Sequence, residues 1–302
     1  MIKKTIIDGI TVVVPTLHRP SVLLDTLRDL SKQDYDDFDI LVVDQSDDFN
    51  LEAQVFLNSI NIESSYVHVT SFRGLPEARN FGLRKAKRDI ILYIDDDIRC
   101  GAEFVRSHFE AHLATKAEMV AGGISEANGD VSERGQTGSF DWWTATPHRN
   151  FHYKKGQWCL HAPGGNFSIR RDVLRRIGGF DEHLTIGAAL YEETELGLRL
   201  RSAGYRCWFA PEAHLIHLAA PMGGCRVKND VPRYVLGMAH NRAIVIFRHL
   251  KAWHRISAVL RMALYAASYS RSERSLSPFI SAIRGMNLGR KVAGSIKSDT
   301  GC

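Results

Sequence analysis

The densest chemistry in the 302-residue chain lies at Asp95-Asp96-Asp97. Three successive carboxylates repel one another unless a cation or several donors sit among them. Alone, such a triplet is equally well explained as a solvated acidic loop. Its place directly after the apolar run Asp89–Ile94 points instead to a ligand site. A second group, Glu192-Glu193 with Glu195, opens a leucine-rich helical stretch, where acids complement the helix dipole and capping is the plain explanation. Arg79 and Asn80 sit near the start of a third stretch, Pro76–Lys87, and a helix N-terminus with an arginine suits phosphate oxygens. For Arg79 the competing explanation is a pairing with a nearby surface acid.

The elements that must position these groups alternate along the first hundred residues. Ile10–Val14, Asp39–Val43, Ser65–Val69 and Asp89–Ile94 read as strands, and Ser21–Leu30, Leu51–Ile60 and Pro76–Lys87 as helices. That alternation predicts an α/β fold, a mostly parallel sheet with helices on both faces. Ligands of such sheets bind beyond the carboxyl ends of the strands. The residues there are Pro15-Thr16, Asp44-Gln45-Ser46 and the acidic triplet. No G-x-G-x-x-G follows the first strand and no G-x-x-x-x-G-K-[ST] occurs, so a dinucleotide oxidoreductase and a P-loop NTPase are poorly supported.

Gly122 to Pro163 has weak periodicity and carries Trp142, Trp143 and Trp158, either core residues or a stacking platform for a sugar. Regular structure is expected again at Gly164–Ile169, in a helix at Arg171–Ile177, a turn at Gly178–Asp181, a helix at Glu192–Ala203 closed by Gly204, and a strand at Arg206–Phe209. Amphipathic helices follow at Tyr234–Leu250, Ala252–Tyr269 and Pro278–Gly285.

With 44% hydrophobic and 24% charged residues, the composition is that of a soluble globular chain and excludes collagenous or low-complexity classes. No apolar run reaches the roughly 18–20 residues of a membrane span. The opening MIKKTIIDGITVVVP is interrupted by Asp8 and closed by Pro15, and is read as a first strand rather than a signal peptide. Cys100, Cys159, Cys207, Cys225 and Cys302 are odd in number and never spaced C-x-x-C, so neither zinc nor a disulfide framework is indicated and a cytoplasmic location is expected. Net charge is +5, but residues 226–302 hold 14 basic and 3 acidic side chains, leaving the preceding part at −6. A basic tail on an acidic body fits an anionic membrane surface or nucleic acid; no nucleic-acid recognition motif is present in it, and none is expected as partner.

Six segments in order, VVVPTLHRP, ILVVDQS, GLPEARNFGLRKAKRDIILYIDDD, GGNFSIRRDVLRRIGGFDE, YEETELGLRLRSAGYR and PEAHLIH, resemble glycosyltransferase family 2, the inverting nucleotide-sugar enzymes of the GT-A fold. The likeness runs from Thr11 to Gly224. It implies a GT-A catalytic domain over residues 1–225, with a nucleotide-sugar half to about residue 100 and an acceptor half beyond it, and a basic helical tail over 226–302. By this resemblance Pro15, Thr16, Arg19, Asp44 and Gln45 would meet the nucleotide, with Gln45 standing where the family more often has a second acid. Arg79 and Asn80 would lie by the diphosphate.

The triplet is similar to the family's D-x-D element. It implies Asp95 near the ribose, Asp96 among the donor-binding residues, and Asp97 on a divalent metal, Mg²⁺ or Mn²⁺, with Asp95 and His217 as further ligands; His214 is a rival to His217. Glu192-Glu193 matches the family's acidic pair, which implies Glu193 as the base and Glu192 as an orienting or acceptor-binding residue. Gly165 and Asn166 would face the acceptor. The activity implied is transfer of a sugar from a nucleotide-diphospho-sugar to a sugar or lipid-linked sugar, in polysaccharide or glycolipid assembly. A catalytically inactive binding scaffold of the same fold is the alternative. A sugar-phosphate nucleotidylyltransferase is disfavoured, because VVVPTLHRP lacks a glycine-rich loop. The tail's apolar clusters, Ala243–Phe247, Val259-Leu260, Met262–Leu264 and Phe279-Ile280, with Trp253 and Tyr265 among arginines, are expected to lie on the inner face of the cell membrane, the alternative being that these helices pack their apolar faces on the catalytic domain.

Overall fold

The computed structural model describes residues 7–126, 136–220, 223–224, 227 and 230–295. Cys225, Cys302 and the 225/226 boundary fall outside them. Among the described residues one sheet of nine strands carries the architecture. Strands β1 (Ile10–Thr16), β2 (Phe38–Asp44), β3 (Ser64–His68) and β4 (Ile90–Ile94) run parallel in the spatial order β3-β2-β1-β4. The sheet continues through β10 (Asn166–Arg170), antiparallel to its neighbours, then β6 (Met119–Glu126), β11 (Cys207–His217) and β5 (Ile98–Cys100). Strand β9 (Gln157–Cys159) pairs with β11, while β7 (Ser139–Asp141) and β8 (Thr146–His148) form a separate hairpin.

Alternate residues of each buried strand enter opposite cores. Val12 and Val14 join Leu23, Leu27 and Leu30 of α1 (Pro20–Leu30), whereas Val13 joins Ala78 and Leu83 of α3 (Leu75–Lys85). Both faces are therefore covered, by α1, α2 (Leu51–Ser59) and α4 (Phe104–Thr115) on one side and by α3, α5 (Arg171–Arg176) and α6 (Glu192–Ser202) on the other. This continuous burial explains why the strands read as unbroken apolar runs.

The early elements fall within one or two residues of expectation. The strand expected at Arg206–Phe209 is much longer, because β11 passes an irregularity between Ala210 and His214 and runs on to His217 beside β6. Helix α4 was not expected, and it carries two buried histidines. His108 bonds Asn166 and Ser168, and His112 bonds Ser168 and the Ala117 carbonyl. Burial pushes them down to about 3 and about 4 respectively. Both stay neutral in the fold, so below the ordinary histidine value of about 6.5 the unfolded chain binds protons first and stability falls with pH. Denaturation at pH 7, 6 and 5 should show a loss approaching about 1.4 kcal/mol per unit for each histidine below that value. The contribution is read against His108→Gln and His112→Gln; a wild-type profile with the same slope as both variants would contradict the burial of these histidines as neutral groups.

Helices α7 (Val231–His249), α8 (Ala252–Glu273) and α9 (Ser277–Ser295) follow. The expectation that Ala243–Phe247 faces a membrane is corrected here: Ala243, Ile244, Val245 and Ile246 are buried, and Arg242 is buried with them. Helix α7 is core, packed against α6, with Val245 and Ile246 in one cluster with Leu198.

Candidate active site

Adjacent strands β1 and β4 end side by side, and the acidic triplet leaves β4 at that edge. The three carboxylates take different directions. Asp96 turns inward, accepting from the Thr16 hydroxyl at 2.6 Å and from Arg19 Nη1 at 2.7 Å. Burial lifts it to about 6, against the pull of Arg19 and Thr16. It ties the end of β1 to the end of β4. Asp97 accepts from the Ala220 amide at 2.8 Å and lies 3.3 Å from His217 Nε2. Burial works against its charged form, but His217, Arg19 and that amide together hold it below the usual carboxylate range.

Asp95, Asp97 and His217 present ligand atoms that all lie within 4.8 Å of one another. Behind the imidazole, Nδ1 of His217 meets Glu126 Oε2 at 3.1 Å, its neighbour across the β6–β11 register. A carboxylate in that position fixes the orientation of a ligating histidine. These acids, the Asp97 hydrogen bond first, push His217 up to about 9. Two carboxylates and an imidazole suit a hard or borderline divalent cation, so the donor set fits Mg²⁺ or Mn²⁺. The rival His214 points elsewhere, to the Ser125 hydroxyl at 2.9 Å. Glu126 carries no sequence signal, since only strand register brings it to His217.

Arg79 does not reach into solvent. Its guanidinium is buried between the rings of Phe167 and Phe180, at 5.4 and 5.6 Å, pairs with Glu192, donates to the Gly164 carbonyl and lies 4.0 Å from Asp95. Glu192 is equally buried and committed to this pair. Breaking such a pair strands a charge, so Glu192 serves as a strut. Its neighbour Glu193 borders a cleft of about 340 Å³ together with Asp95, Gly164, Gly165 and His217; its nearest cation is Arg149, at 3.9 Å. Gly165 is required by close approach, because a Cβ there would stand 2.3 Å from Asp95 Oδ2.

Three residues expected to meet ligand are engaged within the protein. Asn80 spends its amide on Phe180 N, Phe180 O and Glu182. Asn166, fully buried, donates to the carbonyls of Gly123 and Ala213 and bonds His108. Asp44 is buried, its carboxylate taken by Tyr66 and the Ser46 amide. All three hold walls. Pro15, Thr16, Arg19 and Gln45 do line the larger neighbouring cleft, of about 1000 Å³, with the triplet, although Gln45 Oε1 accepts from the Gly74 amide at 2.7 Å. Trp142 and Trp158 line a different cavity, on the Gly197–Arg201 side of α6, and Trp143 packs on His254. A stacking platform built from these tryptophans would therefore lie away from Glu193.

The approach to α6 is strained. Gly187, Ala189 and Tyr191 all have positive φ, at +71°, +49° and +73°, and only glycine takes that region readily. Helix α7 enforces the path: Asn241 Nδ2 donates to the carbonyls of Leu184, Ile186 and Leu190 at 2.8, 3.3 and 3.0 Å. Farther along α6, Glu195 pairs with Arg199 one turn on, and also with Arg248 and His249 of α7. Asn241 lies in the tail, with no sequence signal linking it to this loop.

A sheet of this order, with an Asp-Asp-His cluster at the ends of its strands and an acidic pair at a facing helix head, defines a GT-A fold. Within that class, the family model for Glycosyl transferase family 2 matches residues 11–178, and the chain belongs to that family. Chondroitin synthase of Escherichia coli is 28% identical over 244 residues, covering 68% of this chain; the chain spans only 34% of that protein's length. Among solved structures, Staphylococcus aureus TarS 1-349 in complex with UDP-GlcNAc superposes with a TM-score of 0.64 at 16% identity, over 92% of this chain and 79% of that one. The mannosyltransferase PcManGT of Pyrobaculum calidifontis, in complex with GDP-Man and Mn²⁺, gives 0.58 at 16% identity, over 97% and 87%.

Proposed function

We propose that the chain transfers a sugar, with inversion, from a nucleotide-diphospho-sugar to an acceptor hydroxyl, in the assembly of a polysaccharide or glycolipid. The carrying observation is that Asp95 and His217 border the same cleft as Glu193. A divalent ion held by Asp95, Asp97 and His217 would supply neutralising charge for the departing diphosphate. Glu193 takes the proton of the acceptor hydroxyl as its oxygen bonds to the anomeric carbon and the bond to the diphosphate oxygen breaks. Arg79 holds Glu192, and through it the head of α6, in place. Arg19, 2.7 Å from Asp96 and 3.2 Å from Asp97, offsets part of the repulsion among the acids. The relatives named above support a nucleotide sugar as donor, and PcManGT supports Mn²⁺.

The reading is tested by nucleoside diphosphate release from a panel of nucleotide sugars with Mn²⁺ or Mg²⁺. At least one donor should be turned over, and chelation by EDTA should stop the reaction. Silence with every donor and metal, in a folded preparation, would place the chain with inactive binding scaffolds.

The reading extends to a peripheral position on the cytoplasmic face of a membrane. No described helix is long and apolar enough to cross one. On α8 the buried Ala258, Met262 and Ala266 mark the inner face, and the opposite face exposes Trp253, Ile256, Leu260 and Leu264. From Lys251 to Ser295 the chain carries eight basic residues and one acidic, a charge suited to anionic lipid. The full chain should sediment with anionic liposomes at low salt, release at high salt and ignore neutral ones. Replacing Trp253, Leu260 and Leu264 by Ser should abolish sedimentation without changing thermal unfolding. A wild-type chain that stays in the supernatant would sink this extension. Truncation before α7 is unsuitable, because it removes core.

A further inference from the structure

Glu193 belongs to two cavities. Besides the cleft it shares with Asp95 and His217, it borders a separate pocket of about 220 Å³. In glycosyl transfer the acceptor's hydroxyl oxygen lies against the donor's anomeric carbon with the base beside it, so the acceptor occupies space that meets the donor cleft at the base. The Asp95 side is the donor side on the proposed function, and the second pocket meets that cleft along Glu193, Arg149 and Leu190, which border both. The C-terminal helices build most of its far wall, with Tyr234 and Met238 from α7 and Tyr265 from α8, facing Tyr191 and Thr194 from the head of α6.

The lining has a definite chemistry. Tyr191, Tyr234 and Tyr265 bring three aromatic rings into a pocket whose only carboxylate among the described residues is Glu193. The rings are held from below by buried Arg242, which donates to the Tyr191 hydroxyl at 3.1 Å and lies 5.2 Å from the Tyr265 ring. Tyr234 is braced edge-on by Tyr269. The Thr194 hydroxyl, one residue from Glu193, is buried without a hydrogen-bond partner among the described residues. A buried hydroxyl left unmatched is costly unless a ligand completes it. Aromatic rings with a few fixed polar groups suit the C–H face of a pyranose ring and its hydroxyls.

We infer that this pocket seats the acceptor, that it takes a single pyranoside ring against Tyr234 with a ring hydroxyl bonded to Thr194, and that α7 and α8 are thereby specificity-determining parts of the acceptor site. The inference rests on the proposed transferase reading. It gives the tail a role in the site itself: the inner side of α8 helps build the acceptor pocket and its outer side is left exposed.

The test uses the full chain and a panel of methyl pyranosides of common hexoses and N-acetylhexosamines, observed by saturation-transfer NMR. At least one should bind, through its ring protons. Tyr234→Ala and Thr194→Val should each weaken it roughly fivefold or more, while Tyr234→Phe restores it. Binding of UDP or GDP with Mn²⁺, measured on the same samples, should not change. If no pyranoside binds, or binding is indifferent to both substitutions, the inference is overturned. Loss of nucleotide binding in the wild-type chain would instead overturn the donor reading, so the two failures are separable.

Discussion

Glu193→Gln is expected to lower turnover by about 10²–10⁴-fold, the range a positioned general base contributes, while leaving donor affinity intact. The amide keeps the shape of the side chain and removes its ability to accept a proton. Glu193 is suited to the role by location: it borders both the donor-side cleft and the tyrosine pocket, and its nearest cation is 3.9 Å away. Glu192, one residue earlier, is locked to Arg79 in a buried pair and borders only the first. A Glu193→Gln variant that turns over at the wild-type rate would remove Glu193 from the mechanism. Because Glu192 is a strut, its substitution should instead show as lost stability, so thermal unfolding of the two variants tells the roles apart.

Asp97→Asn is expected to reduce transfer by about 10³-fold or more, for a different reason. Several kcal/mol of charge stabilisation on the leaving diphosphate depend on a cation, and each 1.36 kcal/mol is a factor of ten in rate. Asparagine retains an oxygen for the Ala220 amide, so the turn after β11 should survive. What it loses is the anionic charge paired with His217 and facing Arg19. Raising the Mn²⁺ concentration should recover part of the activity of Asp97→Asn and none of that of Glu193→Gln.

Much of this site was legible because sequence order and spatial order coincide in the parallel half of the sheet. Buried strands gave apolar runs, and the residues just after β1, β2 and β4 had to gather at one edge. The triplet, Glu193 and His217 were singled out on that basis together with the family resemblance. What the sequence did not show depends on contacts across long sequence separations. Asn80, Asn166 and Asp44 look like ligand residues by type and place, yet their polar atoms are spent on Phe180, Gly123 and Tyr66. Glu126 reaches His217 only through the β6–β11 register, and Asn241 reaches the strained loop only because α7 folds back. The sequence left the tail's surroundings open because an amphipathic helix has the same pattern whether its apolar side meets a membrane or a protein core. Helix α7 meets the core; α8 has a buried side and an exposed apolar side.

The central claim is that Asp95, Asp97 and His217 together hold the cation on which donor binding depends. Calorimetric titration of UDP and of GDP into the full chain, with Mn²⁺ and with EDTA, tests it most directly. At least one nucleotide should bind with Mn²⁺ present, lose that binding with EDTA or in Asp97→Asn, and keep it in Glu193→Gln. Nucleotide binding indifferent both to EDTA and to Asp97→Asn would contradict the account.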